Sequence, residues 1–435
     1  TMSNFVLQLD LKTEIWQEHI IEKRLNIGRQ IYNSVLSKIL KRDNHMKNSN
    51  EYITAVKMEK GKDRNKKLND IRKDFKLTKF DMNKYVKPMG QKYKKNLGSQ
   101  MVQEIAERAY SAYEKVIFSD GKKIHFKKYG EFNSLREKGN ITGLRYYENE
   151  NMIKWLGLNI PVIIKRNDKY AIKYFESKLK YCKLLKKVIR GKNRYFVQIT
   201  FEGTPPNKRN INYTNNEVGI DIGTSTIAIV SDEKVEFKVL ADSVDKHEEE
   251  KVRLQRKLDR QRRANNPNKY NKDGTINIKN KDKWIKSKNY IKTNNKLKEI
   301  NRKIADKRTQ SHNILSNEIL ELGTTIKVET MNYKALQSRA KETKISEKTG
   351  KFKKKKRFGS SLLNRAPSRL LTILDNKLKN INKELIRIDT IKVKASQYNH
   401  ETNEYTKVSL NTRWKTIGDI KVQRDMYSAY LIKCV

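Results

Sequence analysis

The segment Val218–Val230, VGIDIGTSTIAIV, constrains the fold of this chain more than any other feature. Short runs rich in Val and Ile indicate buried strands, and this run carries one acid, Asp221. A carboxylate in a buried strand is unfavourable unless a cation or a hydrogen-bond donor compensates it, so we expect such a partner near Asp221. Thr224, Ser225 and Thr226 predict a tight turn into a second strand, which places the acid on a hairpin.

Two later segments carry acids in comparable settings. Thr324–Thr330, TTIKVET, is a β-branched run with Glu329 near its end, and Val422–Ile432, VQRDMYSAYLI, places Asp425 at the start of an apolar helix. Each acid taken alone also fits a structural role, as a turn former, a strand terminus or a helix-dipole partner. The order Asp, Glu, Asp on strand, strand and helix favours a two-metal phosphoryl-transfer site, in which carboxylates hold Mg²⁺.

The three segments also resemble a known family. GIDIGTST, IKVETMNYKAL and VQRDMYSAYLI are similar to the three nuclease motifs of the TnpB family, whose relatives include the compact type V CRISPR effectors. The sequence between them agrees, in LQRKLDRQRRANNP, KWIKSKNY, KRTQSHNILSNEIL and GSSLLNRAPSRLLTILDNKL. The resemblance extends from Val218 to the end of the sequence, and over the first two hundred residues it rests on pattern more than on motifs.

The resemblance implies an RNA-guided DNA endonuclease with an RNase H-like (RuvC-type) nuclease domain. Asp221, Glu329 and Asp425 would be its catalytic acids and would hold two Mg²⁺ ions, with Mn²⁺ as an alternative. The implied partners are a structured guide RNA and a target double-stranded DNA. Base pairing would select the target, while the protein reads a short adjacent motif.

The net charge is consistent with such partners. The chain has 97 Lys and Arg against 49 Asp and Glu, a net charge of +48, so a polyanion is its natural counterion. A nucleic acid is favoured over an anionic membrane because no amphipathic anchor or long apolar span appears. Two cysteines, Cys182 and Cys434, exclude a disulfide framework and fit a reducing cytoplasm, bacterial or phage-encoded and nucleoid-associated.

The N-terminal half predicts a β-structure interrupted by helices. Residues 4–12 alternate as a strand, residues 15–40 and 101–117 have helical spacing, and residues 43–67 predict a loop or a solvated helix. From residue 141 the chain returns to strands, including YAIKYF at 170–175 and a hairpin turn at Arg190-Gly191-Lys192. The pattern suggests a small β-barrel, and the resemblance implies that it is the wedge domain and the helical insertion a recognition lobe.

The resulting fold class is α/β plus α and β regions, with the RNase H-like (RuvC) domain preceded by the interrupted β-barrel. The expected domains are an N-terminal wedge strand (1–12), the helical recognition domain (13–138), the remaining wedge strands (139–203), a linker (204–212) and the nuclease domain (213–435) with a helical insertion (243–322).

The insertion supplies most of the candidate nucleic-acid contacts. A basic helix is predicted over 243–263, stopped by Asn265-Asn266-Pro267, and a second over 284–322. These helices could equally form a solvated hairpin. The candidate contacts, which include a charge run at 351–357 and the neighbour of the third acid, are Arg253, Arg256, Arg260, Arg262, Arg263, Lys286, Lys288, Arg302, Arg308, Lys353, Lys354, Arg357 and Arg424.

The sequence departs from the family pattern at 396–414, where many relatives carry a CxxC…CxxC zinc site. This segment has no cysteine, and His400 alone cannot supply four zinc ligands, so we predict no structural zinc and a degenerate finger. Tyr398, His400, Tyr405 and Trp414 would replace the metal by packing, with His400 as a structural hydrogen-bonding residue.

Three other functions compete with the nuclease. A DDE-type transposase shares the fold and the metals, but its acids normally run Asp, Asp, Glu. A nuclease-silent RNA-guided repressor would be expected to have lost an acid, and all three are present. A plain RNA-binding protein explains the charge but not the carboxylates. Within a ribonucleoprotein the chain is expected to be a monomer, with a dimer as the alternative.

Overall fold

The computed structural model describes residues 3–119, 121, 123–206, 211–338, 345, 358–406 and 412–435. The chain divides into two compact units, Thr1–Lys208 and Arg209–Val435. The first combines helices with an antiparallel sheet, and the second has a mixed sheet with helices on both faces. The expected mixture of α and β structure is therefore present. Lys353, Lys354 and Arg357 lie outside the described residues, as does the whole predicted charge run at 351–357.

In the first unit the strands are β1 (Asn4–Leu11), β2 (Ser134–Arg136), β3 (Arg145–Tyr147), β4 (Met152–Trp155), β5 (Leu158–Ile163), β6 (Leu179–Ile189) and β7 (Lys192–Glu202). The helices are α1 (Ile15–Lys47), α2 (Asn50–Lys57), α3 (Lys62–Asp74), α4 (Lys79–Lys92), α5 (Ser99–Phe118) and α6 (Lys169–Tyr174).

The seven strands form one sheet in the order β2-β6-β7-β1-β5-β4-β3. β1 lies at its centre, antiparallel to β7 on one side and to β5 on the other. The helices are thus inserted between β1 and its partners, as the sequence predicts. The sheet has two ends, at β2 and β3, so the described strands do not close a hydrogen-bonded barrel. The remaining wedge strands were expected to start at residue 139. β2 already begins at Ser134.

The helices α1, α4 and α5 pack with this sheet around one hydrophobic core. Arg24 on α1 reaches the sheet: its guanidinium donates to the carbonyls of Trp155 at 2.8 Å and Leu156 at 2.6 Å and lies 4.3 Å from the Trp155 ring. The predicted loop or solvated helix at 43–67 is helical for most of its length, because α1 runs to Lys47 and α2 and α3 follow.

One strand prediction is wrong. Residues 170–175 belong to the short helix α6, because the Asp168 side chain accepts a hydrogen bond from the backbone N–H of Ala171 at 3.0 Å and caps the first turn. The hairpin between β6 and β7 is confirmed. Arg190 and Gly191 both have positive φ, at 52° and 78°, as a two-residue turn between twisted strands requires.

In the second unit the strands are β8 (Glu217–Ile222), β9 (Thr226–Val230), β10 (Val235–Val239), β11 (Thr325–Glu329), β12 (Ile386–Ile388), β13 (Tyr398–Asn399), β14 (Glu404–Tyr405), β15 (Trp414–Ile417) and β16 (Ile420–Gln423). The helices are α7 (Glu248–Asn265), α8 (Lys288–Leu322), α9 (Tyr333–Gln337), α10 (Gly359–Arg365), α11 (Pro367–Lys379), α12 (Thr390–Val393) and α13 (Arg424–Cys434).

The main sheet of this unit has the order β10-β9-β8-β11-β12. β8, β9 and β10 are antiparallel, whereas β11 is parallel to β8 and β12 is parallel to β11. Because side chains alternate along a strand, Val218, Ile220 and Ile222 face a core that includes leucines of α8 and α11. The other face of the sheet is covered by α13.

The helical insertion lies between β10 and β11. A 3-10 turn at Asp242–His247 precedes α7, so this helix begins five residues later than predicted; it ends at Asn265, two residues beyond the predicted range and at the first residue of the predicted stop. The second helix begins later than predicted, at Lys288, because the Ser287 hydroxyl accepts from the backbone N–H of Tyr290 and caps it. Lys286 therefore lies before the helix. Within the described residues of the chain, no helix is long and apolar enough to cross a membrane.

Candidate active site

Asp221 and Glu329 lie on neighbouring strands at matching positions. In the parallel β8–β11 pair, Ile220 is aligned with Val328, so the next residue on each strand is an acid. Aligned residues on adjacent strands point to the same face and are separated by about 5 Å between backbones. Both carboxylates therefore project from the face of the sheet that α13 covers, and the predicted hairpin places Asp221 at the end of β8.

A glycine lets α13 approach this face closely. A Cβ atom built at Gly219, two residues before Asp221, would lie 2.1 Å from the carbonyl oxygen of Ala429 and 2.5 Å from the backbone nitrogen of Lys433. Only glycine permits this contact between strand and helix. Asp425 precedes Ala429 by four residues, which is about one helical turn. The close packing thus brings the third acid toward the first.

Arginines hold the Asp425 carboxylate. Arg424 donates to its Oδ1 atom from Nη2 at 3.0 Å and from Nε at 3.2 Å. The Nη1 atom of Arg413 lies 3.6 Å from Oδ2, and the Gln423 amide donates to the same oxygen at 3.4 Å. Gln423 also caps α13, because its Oε1 atom accepts from the backbone N–H of Met426 at 2.7 Å. The predicted position of Asp425 at the start of an apolar helix is confirmed.

The three acids interact electrostatically. Burial raises the pKa of Asp221 to about 7, and the carboxylates of Glu329 and Asp425 contribute to this rise, while Arg424 lowers it. Burial also raises the pKa of Glu329. Neighbouring carboxylates that raise the pKa of a buried acid make its ionised form unfavourable without a counter-charge, and a bound cation would supply one.

The acids supply the donor type that Mg²⁺ and Mn²⁺ prefer, carboxylate oxygen. Among the described residues, however, no group of three or more His, Cys, Asp or Glu side chains is arranged so that it could hold a metal ion. Asp425 is the acid turned toward other partners, since arginines contact both of its oxygens. A site built from all three acids therefore requires Asp425 to exchange arginine contacts for the cation.

Two residues near the acids were not predicted from the sequence. The Tyr333 hydroxyl is buried without a hydrogen-bond partner among the described residues. Burial and the Asp221 carboxylate raise its pKa, while Arg387 lowers it. Arg413, which contacts Asp425, lies on the neighbouring hairpin. Tyr333 lies within the second motif, IKVETMNYKAL, four residues after Glu329, and this position was the signal available in the sequence.

The predicted basic residues of the insertion fall into two groups. Arg253, Arg256 and Arg260 are exposed and line one shallow groove along α7, and Lys286 and Lys288 are also exposed. The others make protein contacts. Arg262 and Arg263 pair with Asp259, Arg302 pairs with Glu299 and Asp306, and Arg308 donates to the carbonyl of Leu363. Nucleic-acid contacts remain a prediction for both groups.

The segment 396–414 is described at 396–406 and 412–414. The rings of Tyr398 and Tyr405 lie 5.1 Å apart, and the Nδ1 atom of His400 is 2.8 Å from the Tyr427 hydroxyl, so His400 is a structural hydrogen-bonding residue as predicted. Trp414 differs from the prediction. It lies on β15, and 53% of its surface is exposed.

The fold and the site together define a mixed α/β protein whose second unit carries two acids on its sheet, Asp221 and Glu329, and a third, Asp425, on the helix that covers them. No protein-family model matches the sequence. No curated protein matches it either.

Two solved structures are similar to the chain over almost its whole length. The first, a cryo-EM structure of a Cas12f1–sgRNA–target DNA complex, matches 99% of this chain and 99% of its own, with 9% identity and a TM-score of 0.45. The second, a cryo-EM structure of a CRISPR-Cas12f ternary complex, matches 99% and 98%, with 11% identity and a TM-score of 0.28. Similarity at this level establishes neither a family nor an activity for the chain.

Proposed function

We propose that the chain is an RNA-guided DNA endonuclease whose second unit is an RNase H-like (RuvC-type) catalytic domain. The observation that carries the proposal is that Asp221 and Glu329 project from the same face of a sheet, and that Asp425 lies on the helix that covers this face. The register of β8 and β11 and the close approach of α13 at Gly219 support this arrangement. The similarity of the three motifs to those of the TnpB family supports the choice of nuclease.

Residues of the sheet and of α13 would have different roles in hydrolysis. Asp221 and Glu329 would hold divalent cations from the sheet, and Asp425 would complete the set from α13. Mg²⁺ supplies, when bound, an activated water and a counter-charge for the departing 3′ oxygen. Arg424, displaced from Asp425, would neutralise a phosphate of the strand that is cut.

The proposal that a guide RNA directs the protein to its target is supported by the net charge and by the three motifs. A net charge of +48 provides many cations for the phosphates of a guide RNA and a target duplex. Base pairing with the guide would select the target sequence, and the protein would read a short adjacent motif and the shape of the backbone.

The test begins with the RNA that co-purifies with the protein. Sequencing this RNA defines a guide, and a DNA duplex matching the guide is then incubated with the complex in Mg²⁺. We expect the wild type to cut the duplex. Asp221→Ala should bind it equally well without cutting, because the phosphate contacts remain while a metal ligand is lost. Asp419→Asn is the matched control, since it removes an exposed carboxylate from the turn between β15 and β16. Cutting by Asp221→Ala at the wild-type rate would refute the proposed site.

One observation favours a second candidate, an RNA-guided protein that binds DNA without cutting it. Arg424 and Arg413 already neutralise Asp425, and such pairing would suit an acid that holds no metal. The same experiment separates the two functions. Guide-dependent binding to a target that stays intact across a range of Mg²⁺ and Mn²⁺ concentrations would establish the non-cleaving protein.

A further inference from the structure

An exposed apolar groove lies beside the third acid. It has a volume of about 820 Å³ and runs between β10, α13 and the hairpin of β15 and β16. Val235 and Phe237 of β10 form one wall, and Trp414 and Ile420 of the hairpin form the other. All four side chains are exposed, which is unusual for a cluster of large apolar residues.

The packing of α13 explains why the groove is open. Val235 and Phe237 are paired with Val230 and Ala228 of β9, so they project from the face of the sheet on which α13 lies. α13 packs on β9 through Ala429, which clusters with Ala228 and Val230. α13 therefore covers the centre of the sheet. It leaves Val235 and Phe237 of the edge strand β10 uncovered.

The hairpin wall combines an aromatic face with cations. Trp414 stands between Arg413 and Lys415 in the sequence, and the Nζ atom of Lys421 lies 5.7 Å from its ring centroid. Burial and the charge of Arg424 lower the pKa of Lys415, so two cations crowd one another here. One anion, Glu401, also lines the groove. An aromatic surface flanked by an excess of cations suits a strand of nucleic acid with unpaired bases.

The groove extends to residues beside the third acid, Asp425. Gln423 and Met426 line it and flank Asp425 in the sequence, and Gln423 contacts the Asp425 carboxylate. A strand whose phosphate lay at the acids would therefore bring an adjacent nucleotide to the groove. Bases of a duplex stack on one another and cannot enter, whereas an unpaired base can.

We propose that this groove binds unpaired bases of the DNA strand that is to be cut, with Trp414 as the stacking surface and Lys421 as a phosphate contact. The identity of the strand rests on the proposed function. Binding to the groove requires neither a metal nor cleavage, so it can be measured when both are absent.

The test uses the full-length protein in EDTA and a fluorescent oligothymidine of about 10 nucleotides. Anisotropy is measured at raised salt, which weakens binding through phosphates alone. Trp414→Ala should weaken binding about tenfold, the scale of one lost base–aromatic stack, and Trp414→Phe should restore most of it. The matched control is Trp16→Ala, because Trp16 lies in the other unit and is similarly exposed, at 49% against 53% for Trp414. This control should leave binding unchanged.

Salt dependence separates stacking from charge. Trp414→Ala should keep the slope of log Kd against log salt, because stacking releases no counterions. Lys421→Ala should reduce that slope by about one. A thymidine oligomer carrying a photoreactive base should crosslink to Trp414, which peptide mass spectrometry would locate.

Three results would overturn the proposal. The first is an equal loss of single-stranded and duplex binding in Trp414→Ala, which would indicate a general charge effect. The second is tighter binding of an RNA oligomer of matching sequence, which would assign the groove to another strand. The third is a wild-type dimer that Trp414→Ala converts to a monomer in sedimentation, which would assign the groove to a second copy of the chain. If oligothymidine binds as expected but no DNA is ever cut, only the proposed nuclease function fails.

Discussion

The substitution Asp221→Asn should stabilise the protein in a manner that depends on pH. Burial and two neighbouring carboxylates raise the pKa of Asp221 from 3.8 to about 7. A raised pKa means that the folded protein binds a proton more tightly than the unfolded chain. The wild type therefore loses stability as the pH rises from about 4 to about 7, and it regains none above that. Asparagine has no proton to lose, so the variant escapes this loss.

The size of the effect follows from the shift. At about 1.4 kcal/mol per pKa unit, ionising Asp221 costs about 4 kcal/mol in total, of which about 3 kcal/mol falls between pH 5 and pH 8. A change of 1 kcal/mol moves the Tm of a domain of this size by about 2–4 °C. The Tm advantage of the variant over the wild type should therefore be about 8 °C larger at pH 8 than at pH 5.

Scanning calorimetry of the full chain at the two pH values measures this difference, with Asp419→Asn as the control for removal of one carboxylate. Added Mg²⁺ should raise the Tm of the wild type at pH 8. At a hundred times its Kd, the ion should increase the free energy of unfolding by about 3 kcal/mol. It should have little effect on Asp221→Asn. The same Tm advantage at pH 5 and pH 8 would refute the argument that Asp221 is buried among like charges.

Three further predictions concern packing and charge. Gly219→Ala should lower the free energy of unfolding by several kcal/mol in urea denaturation and abolish cleavage, because the new Cβ would overlap the backbone of α13. Unchanged stability would mean that the helix can move away. Arg24→Leu should cost about 2–4 kcal/mol, because the carbonyls of Trp155 and Leu156 lose their charged donor. A loss below about 0.5 kcal/mol would contradict that contact. RNA affinity should fall by orders of magnitude over a tenfold rise in salt, measured by filter binding, and a flat response would contradict the electrostatic account.

The acid-bearing elements could be predicted because their signals are local. The strand–turn–strand at Val218–Val230 follows from a β-branched run interrupted by small hydroxyl residues, and both are read within a few positions. Two of the predictions that failed, the strand at 170–175 and the start of the second insertion helix, were decided by single capping side chains. Asp168 caps a helical turn over residues with strand-forming aromatic character, and Ser287 sets the start of α8.

The pairing of Asp425 with Arg413 could not be predicted from spacing. The two residues are brought together by the hairpin of β15 and β16, which folds back beside the start of α13. The open groove has a similar origin, since the exposure of Val235 and Phe237 depends on how far α13 extends across the sheet. Contacts of this kind arise from tertiary packing, so the local sequence pattern does not predict them.

The central position of β1 bears on how the first unit folds. Its partners are residues 158–163 and 192–202, so β1, which is synthesised before the other strands of this sheet, waits for about 190 further residues before it is flanked on both sides. The helices between them can form meanwhile from nearby contacts, whereas the sheet closes late and at a high cost in loop entropy. A nascent chain halted before residue 158 would expose an unpaired apolar strand, and a chaperone that binds extended segments should recognise that intermediate.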